Sequence, residues 1–262
     1  MKCTVINFST LLIVTIIMLP LVGMGQENYE IQVYGSQTQA RNSTMFELHS
    51  NYTFDGEREI IKNVRPTYHA FHETIEITHG LTDNFELGFY LFTNYLPDYG
   101  FKIIGTHLRP RIMVPLKWNL PVGLSLSAEI GYQSPRYCAE TWSLEIRPII
   151  DKQWNKLYAS LNPTLGVTLK GIEKPGAPAF APNIKLGYSF FKNASLGIEY
   201  YGDLGTLNAF NNSPEQSHAI FAVIDIINNA KWELNLGPGF GLTPATDGFV
   251  FKVLVGRRIK WK

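Results

Sequence analysis

Charged side chains recur at alternate positions within otherwise apolar stretches of this 262-residue chain. Successive side chains of a β-strand point to opposite faces, so this spacing gathers the charges on one face and the apolar side chains on the other. We predict that the charged face lines the interior of a barrel. The predicted lining consists of His72, Glu76, Glu86, His107, Arg109, Arg111, Glu129, Glu145, Arg147, Lys185, Glu199, Asp225, Glu233, Lys252 and Arg258.

The positive and negative charges of this predicted lining nearly cancel. A pore that selects strongly for one ion carries an excess of one sign around its constriction. A balanced lining instead indicates paired charges that brace the wall and narrow the lumen. An ionic ladder without any transport role is the alternative reading of the same residues.

The chain lacks the common signatures of catalysis. It has no Gly-x-Ser-x-Gly elbow, and His72-Glu73 lacks the second histidine of a zinc-binding helix. A lone histidine on the polar face of a strand is most often a wall residue, although a serine–histidine lipase using His72 or His107 stays an alternative. Cys138 is the one cysteine beyond the N-terminal leader, which excludes a cysteine metal cluster there. We expect no enzyme activity, no cofactor and no metal site.

The stretch from His72 to Leu91 predicts the hairpin around which these side chains are arranged. Ile75 and Ile77 alternate with polar residues over the first strand. A turn follows, because Gly80, Thr82, Asp83 and Asn84 favour tight-turn backbone conformations. The second strand then presents an apolar face made of Phe85, Leu87, Phe89 and Leu91. The sequence provides no helix to cover this face, so lipid is the expected cover.

The same alternation recurs along the chain and predicts about twelve strands within residues 43–262. Its most regular example runs from Leu124 to Gln133, where apolar and polar residues alternate without interruption. The predicted connections are short at one end of the strands and mostly longer at the other. An even number of amphipathic strands with this asymmetry is typical of bacterial membrane barrels. We predict an all-β fold, a transmembrane antiparallel up-and-down β-barrel.

Tryptophan positions provide a second indication of a membrane. Four of the five tryptophans, Trp118, Trp154, Trp232 and Trp261, fall at the same predicted ends of strands. An indole ring prefers the interface between membrane and water, where both its apolar body and its N–H group are accommodated. We predict that these residues form an interface belt on the periplasmic side, although the filling of a soluble core is the alternative.

Composition excludes some partners. Lys and Arg number 23 against 22 Asp and Glu, which gives a net charge of +1. A partner bound by neutralising phosphates would need a larger excess of positive charge, so we expect no nucleic acid. The mean hydropathy of −0.04 suits a barrel, in which polar interior positions offset the apolar outer ones.

The N-terminus carries the features of an export signal. Lys2 precedes an apolar stretch over residues 11–22, and Gly23-Met24-Gly25 forms a small-x-small cleavage site. A membrane-spanning anchor is the alternative, but the apolar stretch is shorter than the ~20 residues that a spanning helix needs. We predict a signal peptide at residues 1–25, a short periplasmic leader at 26–42 and the barrel at 43–262.

Counting residues from the predicted turns gives the register of the strands. Arg109 and Glu129 fall at the same depth on neighbouring strands, which predicts an ion pair. The same count places Arg111 beside Glu86, and Glu233 beside Arg258 or Lys260. It also turns Leu124, Leu126 and Ile130 outward. Glu73 and Arg257 fall on the outer face, near strand ends where long side chains can reach the membrane interface.

Two segments resemble a known family. The stretch ETIEITHGLTDNFELGFYLF, residues 73–92, and the alternating apolar end of the chain, residues 249–261, resemble bacterial outer-membrane barrels of the meta-pathway phenol-degradation type. The resemblance implies a transport or channel role. The last strand is also similar to the signal read by the barrel-assembly machinery, except that the aromatic Trp261 is penultimate and Lys262 is last.

These observations lead to one expected function and two alternatives. We expect a monomeric barrel in the outer membrane of a Gram-negative bacterium, surrounded by outer-membrane lipid and acting as a passive channel or uptake protein for small solutes. One alternative is a membrane-embedded enzyme that modifies lipid. The other is a structural or adhesion barrel with a closed lumen. The identity of the solute does not follow from the sequence.

Overall fold

Antiparallel β-strands dominate the structure. The computed structural model describes residues 28–172, 176–228 and 231–261, so the predicted signal peptide lies outside the described residues. The strands are β1 Ser43–Asp55, β2 Phe71–Thr82, β3 Phe85–Leu96, β4 Gly100–Met113, β5 Gly123–Gln133, β6 Glu140–Trp154, β7 Leu157–Gly171, β8 Ala179–Phe191, β9 Ala194–Asp203, β10 Gly205–Thr206, β11 Ala209–Phe210, β12 Ser217–Asn228, β13 Trp232–Gly241 and β14 Phe249–Lys260.

The sheet closes on itself. Each long strand pairs with its sequence neighbours, except that β9 pairs with β12 across the small β10–β11 hairpin. The last strand returns to the first, with Ser43 opposite Lys260 and Leu48 opposite Val255. The twelve long strands therefore form a closed antiparallel barrel, and the predicted fold class and strand count are confirmed.

The two ends of the barrel differ in their connections. At the end where β1 begins and β14 ends, here called the turn end, β2 and β3 are joined by two residues and β6 and β7 by two more. Asn155 adopts a φ of 55° in the second of these turns, a conformation that asparagine tolerates. The opposite end, here called the loop end, carries longer connections such as residues 56–70. The described part of the chain holds two short 3-10 turns, Leu116–Trp118 and Ser213–Glu215, and no helix long and apolar enough to span a membrane.

The outer surface of the barrel is apolar. On β5, Leu126 and Ile130 are exposed. Ser127 and Glu129, which lie between them in the sequence, are buried. The register predicted for this strand is confirmed, since a slip of one residue would exchange the two faces. An apolar exterior around a charged interior is the reverse of the pattern in a water-soluble protein, and it is the pattern of barrels that lie in lipid.

Tryptophans gather on the outside of the turn end. Trp118, Trp154, Trp232 and Trp261 are all exposed there. The indole N–H of Trp261 donates to Thr44 Oγ1 at 2.7 Å, and the guanidinium of Arg257 covers the ring of Trp232 at 4.6 Å. Arg257 therefore lies on the outer face, as predicted, against an aromatic neighbour. The membrane-interface role of the belt stays a prediction.

Residues 28–40, here called the lumen segment, lie inside the barrel. The sequence predicts a periplasmic leader at 26–42, whereas the described part of that stretch lies in the lumen. At the loop end Asn28 Nδ2 donates to Asp247 Oδ2 at 2.6 Å, and at the turn end the N–H of Ser43 donates to the carbonyl of Ala40. The segment therefore runs the length of the lumen before the chain enters β1.

Candidate functional site in the barrel interior

The structure places every member of the predicted lining on the inward face. Those that are fully buried are His72, Glu76, Glu86, His107, Arg109, Arg111, Glu129, Arg147, Glu199 and Lys252. Glu145, Lys185, Asp225, Glu233 and Arg258 are half-buried, each in an ion pair with an opposite charge. Within the described residues, each arginine and lysine of the predicted lining is thus paired with a carboxylate.

Arg109 is the centre of the largest ion-pair network. Its Nη2 lies 2.6 Å from Glu76 Oε1 and its Nη1 lies 3.0 Å from Glu86 Oε1. Arg111 Nε contacts the same Glu86 oxygen at 2.8 Å, and His49 Nε2 lies 3.2 Å from Glu76 Oε2. Buried charges are costly unless they are paired and hydrogen-bonded, and these charges meet that requirement.

Two of the three predicted cross-strand pairs form. Glu86 is directly opposite Arg111, and Arg258 lies 3.8 Å from Glu233. The predicted pair of Arg109 with Glu129 does not form among the described residues, because Arg109 reaches across β3 to β2. Glu129 instead lies 2.6 Å from His107 Nδ1. The predicted depth and face of Arg109 and Glu129 are correct. The spacing of residues along the strands does not determine which of several carboxylates a long guanidinium side chain contacts.

A second network lies on the opposite wall, where Lys252 contacts Glu199. Lys185 Nζ lies 2.9 Å from Glu199 Oε1 and 2.6 Å from Asp225 Oδ1. On a third part of the wall, Arg147 Nη2 lies 2.6 Å from Glu145 and its Nη1 lies 3.3 Å from Glu30 of the lumen segment. The segment therefore takes part in the charge pairing of the wall.

The lumen segment also packs against apolar side chains that point inward. Ile31 and Val33 join a cluster that includes Tyr201 and Phe221. On the other side Tyr29 packs with Tyr90, Phe92 and Ile104. Phe92 faces inward next to a register shift in the β3–β4 pairing. These clusters fill the half of the lumen nearer the loop end. They do not follow from the alternation of apolar and polar residues in the sequence.

Side chains of the wall satisfy the backbone of the segment. Arg111 donates to the carbonyl oxygens of Gly35 at 3.1 Å and Gln37 at 2.8 Å. Lys252 Nζ donates to the Ile31 carbonyl at 2.9 Å, and Thr74 Oγ1 donates to the Tyr29 carbonyl at 2.6 Å. A backbone buried without such partners would be strongly unfavourable. Side chains of the wall thus provide the segment with the kind of hydrogen bonds that a strand receives from a neighbouring backbone in a sheet.

Tyr34 lies at the middle of the segment. The guanidinium carbons of Arg109 and Arg147 are each 4.9 Å from the centroid of its ring, and that of Arg111 is 5.5 Å away. Contacts of this kind between a cation and an aromatic ring are favourable. The Tyr34 hydroxyl donates to Glu30 and lies 3.0 Å from the Tyr90 hydroxyl. Tyr34 therefore links the segment to several strands at once.

Close approach fixes where the segment leaves the lumen. A Cβ at Gly80 of β2 would lie 2.2 Å from the carbonyl oxygen of Ala40 and 2.4 Å from that of Gln39. Only glycine therefore allows the chain to cross this strand. At the other end Asp247 accepts from Thr67 as well as from Asn28. Burial raises the pKa of the Asp247 carboxyl, although these two hydrogen bonds oppose the increase.

A cavity of about 870 Å³ lies beside the segment and reaches the turn end. Residues 114–122, which connect β4 to β5, form part of its rim. Its polar wall includes Gln37, Gln39, Glu86, Arg111, Asp151, Tyr158, Lys185, Asp225, Glu233 and Arg258. The interior is thus divided into a polar chamber at the turn end and a packed barrier towards the loop end.

Neither protein-family models nor curated proteins match the chain. Several solved structures are similar to it. An outer membrane channel from Pseudomonas putida F1 is similar to this chain, with 12% identity and a TM-score of 0.60 over 88% of this chain and 100% of that one. The KdgM porin gives 11% identity and a TM-score of 0.52 over 81% and 98%, and the NanC porin 6% and 0.53 over 83% and 100%. At these identities the similarity shows a common fold.

Proposed function

We propose that this chain is a monomeric channel in the outer membrane of a Gram-negative bacterium and that small solutes cross it passively. The observation that carries the proposal is a closed barrel with an apolar exterior and a charged interior. Lipid suits such an exterior, and water and polar solutes suit such an interior. The fold shared with an outer membrane channel and two porins supports the proposal, as does the resemblance to barrels of the meta-pathway phenol-degradation type.

The lumen segment is the barrier of the proposed channel. The chamber of about 870 Å³ at the turn end is large enough for a small solute. Beyond it, the apolar contacts of Ile31 and Tyr29 close the path towards the loop end. In this proposal solutes pass along the charged wall when the segment moves aside, and the structure represents the closed form.

The paired charges bear on which solutes are expected. A ring of one sign would favour ions of the opposite sign, whereas here each described cation of the wall has an anionic partner. We expect weak ion selectivity and a preference for neutral or zwitterionic small molecules. A conductance strongly selective for cations or anions would contradict this part of the proposal.

A barrel with a permanently closed lumen is the second candidate, because the segment fills half of the interior. A liposome-swelling assay with the purified, untagged protein separates the two. The channel predicts swelling in small sugars and amino acids at a rate above that of protein-free vesicles. A permanently closed barrel predicts no difference, and that result would end the channel proposal. No described observation favours a lipid-modifying enzyme, since His72 and His107 are buried inside the barrel, away from the surface that would meet lipid.

The proposed location implies two further partners. Outer-membrane lipid would contact the apolar surface, and the barrel-assembly machinery would recognise β14 during insertion. A closed barrel that resists detergent until it is heated should migrate differently on a gel before and after boiling. Identical migration, together with recovery from the soluble periplasmic fraction, would contradict the location.

A further inference from the structure

Three carboxylates lie in one row across the interior of the barrel. Glu47 on β1 is directly opposite Glu76 on β2. On its other side Glu47 is opposite Gly256 on β14, and Gly256 is in turn opposite Glu233 on β13. Like charges that face each other on neighbouring strands destabilise a sheet. A row of this kind therefore needs a positive charge or a proton among its members.

Gly256 allows the outer members of the row to approach. A Cβ at this position would lie 2.7 Å from Glu233 Cγ and 2.7 Å from Met45 Cε. Without it, the Glu233 side chain lies against β14, in the same row as Glu47. Carboxylates gathered in this way repel one another unless a cation lies between them.

His49 adds a nitrogen ligand to the same place. It is two residues from Glu47 on β1, so both side chains point inward. The ligand atoms of Glu47, His49 and Glu76 all lie within 4.8 Å of one another, and the three side chains are buried. Arg109 contacts only Oε1 of Glu76, and Oε2 faces His49. Among the described residues Glu47 has no lysine or arginine partner, which is unusual for a buried glutamate.

We propose that Glu47, His49 and Glu76, with Glu233 within reach, bind one divalent transition-metal ion. One imidazole among carboxylates suits Zn²⁺ or Mn²⁺ better than Mg²⁺. Ligand atoms about 2.0–2.2 Å from an ion can be at most ~4.4 Å apart. Three equally spaced ligand atoms around one ion are at most ~3.8 Å apart, so a contraction of the cluster by about 1 Å at most would bring all three atoms to the ion. Glu47 and Glu233 line the chamber at the turn end, which gives an ion a route to the site.

The sequence predicts no metal, because His72-Glu73 lacks the second histidine of a zinc-binding helix and no cysteine cluster is present. The proposed ligands are separated along the chain and come together only in the barrel. An ion at this place would join β1, β2 and β13 next to the seam where the first and last strands pair. Its binding would therefore stabilise closure of the barrel.

Isothermal titration of the untagged, chelator-treated protein with Zn²⁺ and with Mn²⁺ tests the proposal, with Mg²⁺ for comparison. We expect one equivalent of Zn²⁺ or Mn²⁺ to bind, at least tenfold more weakly to Glu47→Gln and to His49→Gln. Glu129→Gln is the matched control, because Glu129 is also a buried glutamate beside a histidine, but the nearby Glu145 is paired with Arg147. Its metal binding should be unchanged.

Gel migration before and after boiling verifies that each variant is folded. X-ray absorption of the zinc-loaded wild-type protein gives a result that needs no variant, and one imidazole among oxygen ligands is expected. The proposal is wrong if the wild type shows no saturable binding, if both ligand variants bind as it does, or if the spectrum shows several imidazoles.

Discussion

Asn162 binds both backbone polar groups of Tyr34. Its Oδ1 accepts from the Tyr34 N–H at 2.8 Å, and its Nδ2 donates to the Tyr34 carbonyl oxygen at 3.0 Å. A strand in a ladder would receive the same two bonds from a neighbouring backbone. The Asn162 side chain on β7 therefore binds the backbone of the lumen segment as a neighbouring strand would. The backbone of β7 itself is already paired with β6 and β8.

Replacing Asn162 should loosen the lumen segment. Asn162→Leu removes both hydrogen bonds and leaves the buried Tyr34 N–H without its partner, at a cost of roughly 1–3 kcal/mol. The Tyr34 carbonyl keeps its hydrogen bond from Ser160 Oγ at 2.6 Å. Open events in planar-bilayer recordings should therefore be several times more frequent than in the wild type. Asn183→Leu is the matched control, because Asn183 is directly opposite Asn162 on β8 and makes no described hydrogen bond to the segment. Equal effects of the two substitutions would contradict the assignment of the barrier.

A disulfide should lock the barrier. A Cβ built at Gly123 lies 3.2 Å from Ser36 Cβ, close to the ~3.5–4.5 Å of natural disulfides. Ser36→Cys with Gly123→Cys, in a Cys138→Ser background, should stop solute entry when oxidised and restore it when reduced. The matched control is the Cys138→Ser protein, which the redox treatment should leave unchanged. If the oxidised variant passes solutes at the wild-type rate, solutes do not need movement of the segment.

The buried Arg109 should be important for stability. Arg109→Leu leaves Glu76 without its arginine partner and Glu86 with Arg111 alone, and breaking a buried pair in this way costs about 3–5 kcal/mol. Arg258→Gln removes a half-exposed contact of 3.8 Å and should cost less than about 1 kcal/mol. Urea unfolding in lipid vesicles, followed by tryptophan fluorescence, measures both. A loss below 1 kcal/mol for Arg109→Leu would show that the network does not stabilise the fold.

The outer face and the depth of the wall charges could be predicted from the sequence, because both depend on a period of two. Leu126 and Ile130 face outward, and Glu86 meets Arg111, for this reason. The partner of Arg109 could not be predicted, since its long side chain reaches two strands away.

The position of the lumen segment inside the barrel could not be predicted either. Tyr29, Ile31 and Val33 alternate with polar residues there, but three alternations in a polar stretch are a weak signal without the apolar clusters that receive them.

Trp261 should be needed for closure of the barrel. Its backbone N–H donates to the Asn42 carbonyl at 2.8 Å and its indole donates to Thr44 Oγ1, so it joins the end of β14 to the start of β1. Trp261→Asp should lose the indole contact and place a charge in the interface belt. We expect the variant to be degraded in the periplasm, and immunoblots of outer-membrane fractions measure this. Trp118→Asp is the control, because Trp118 is also exposed at the turn end but lies on the β4–β5 connection, away from the seam. It should reach the outer membrane at a higher level than Trp261→Asp. Normal levels of Trp261→Asp would mean that this residue contributes neither to the seam nor to recognition of β14.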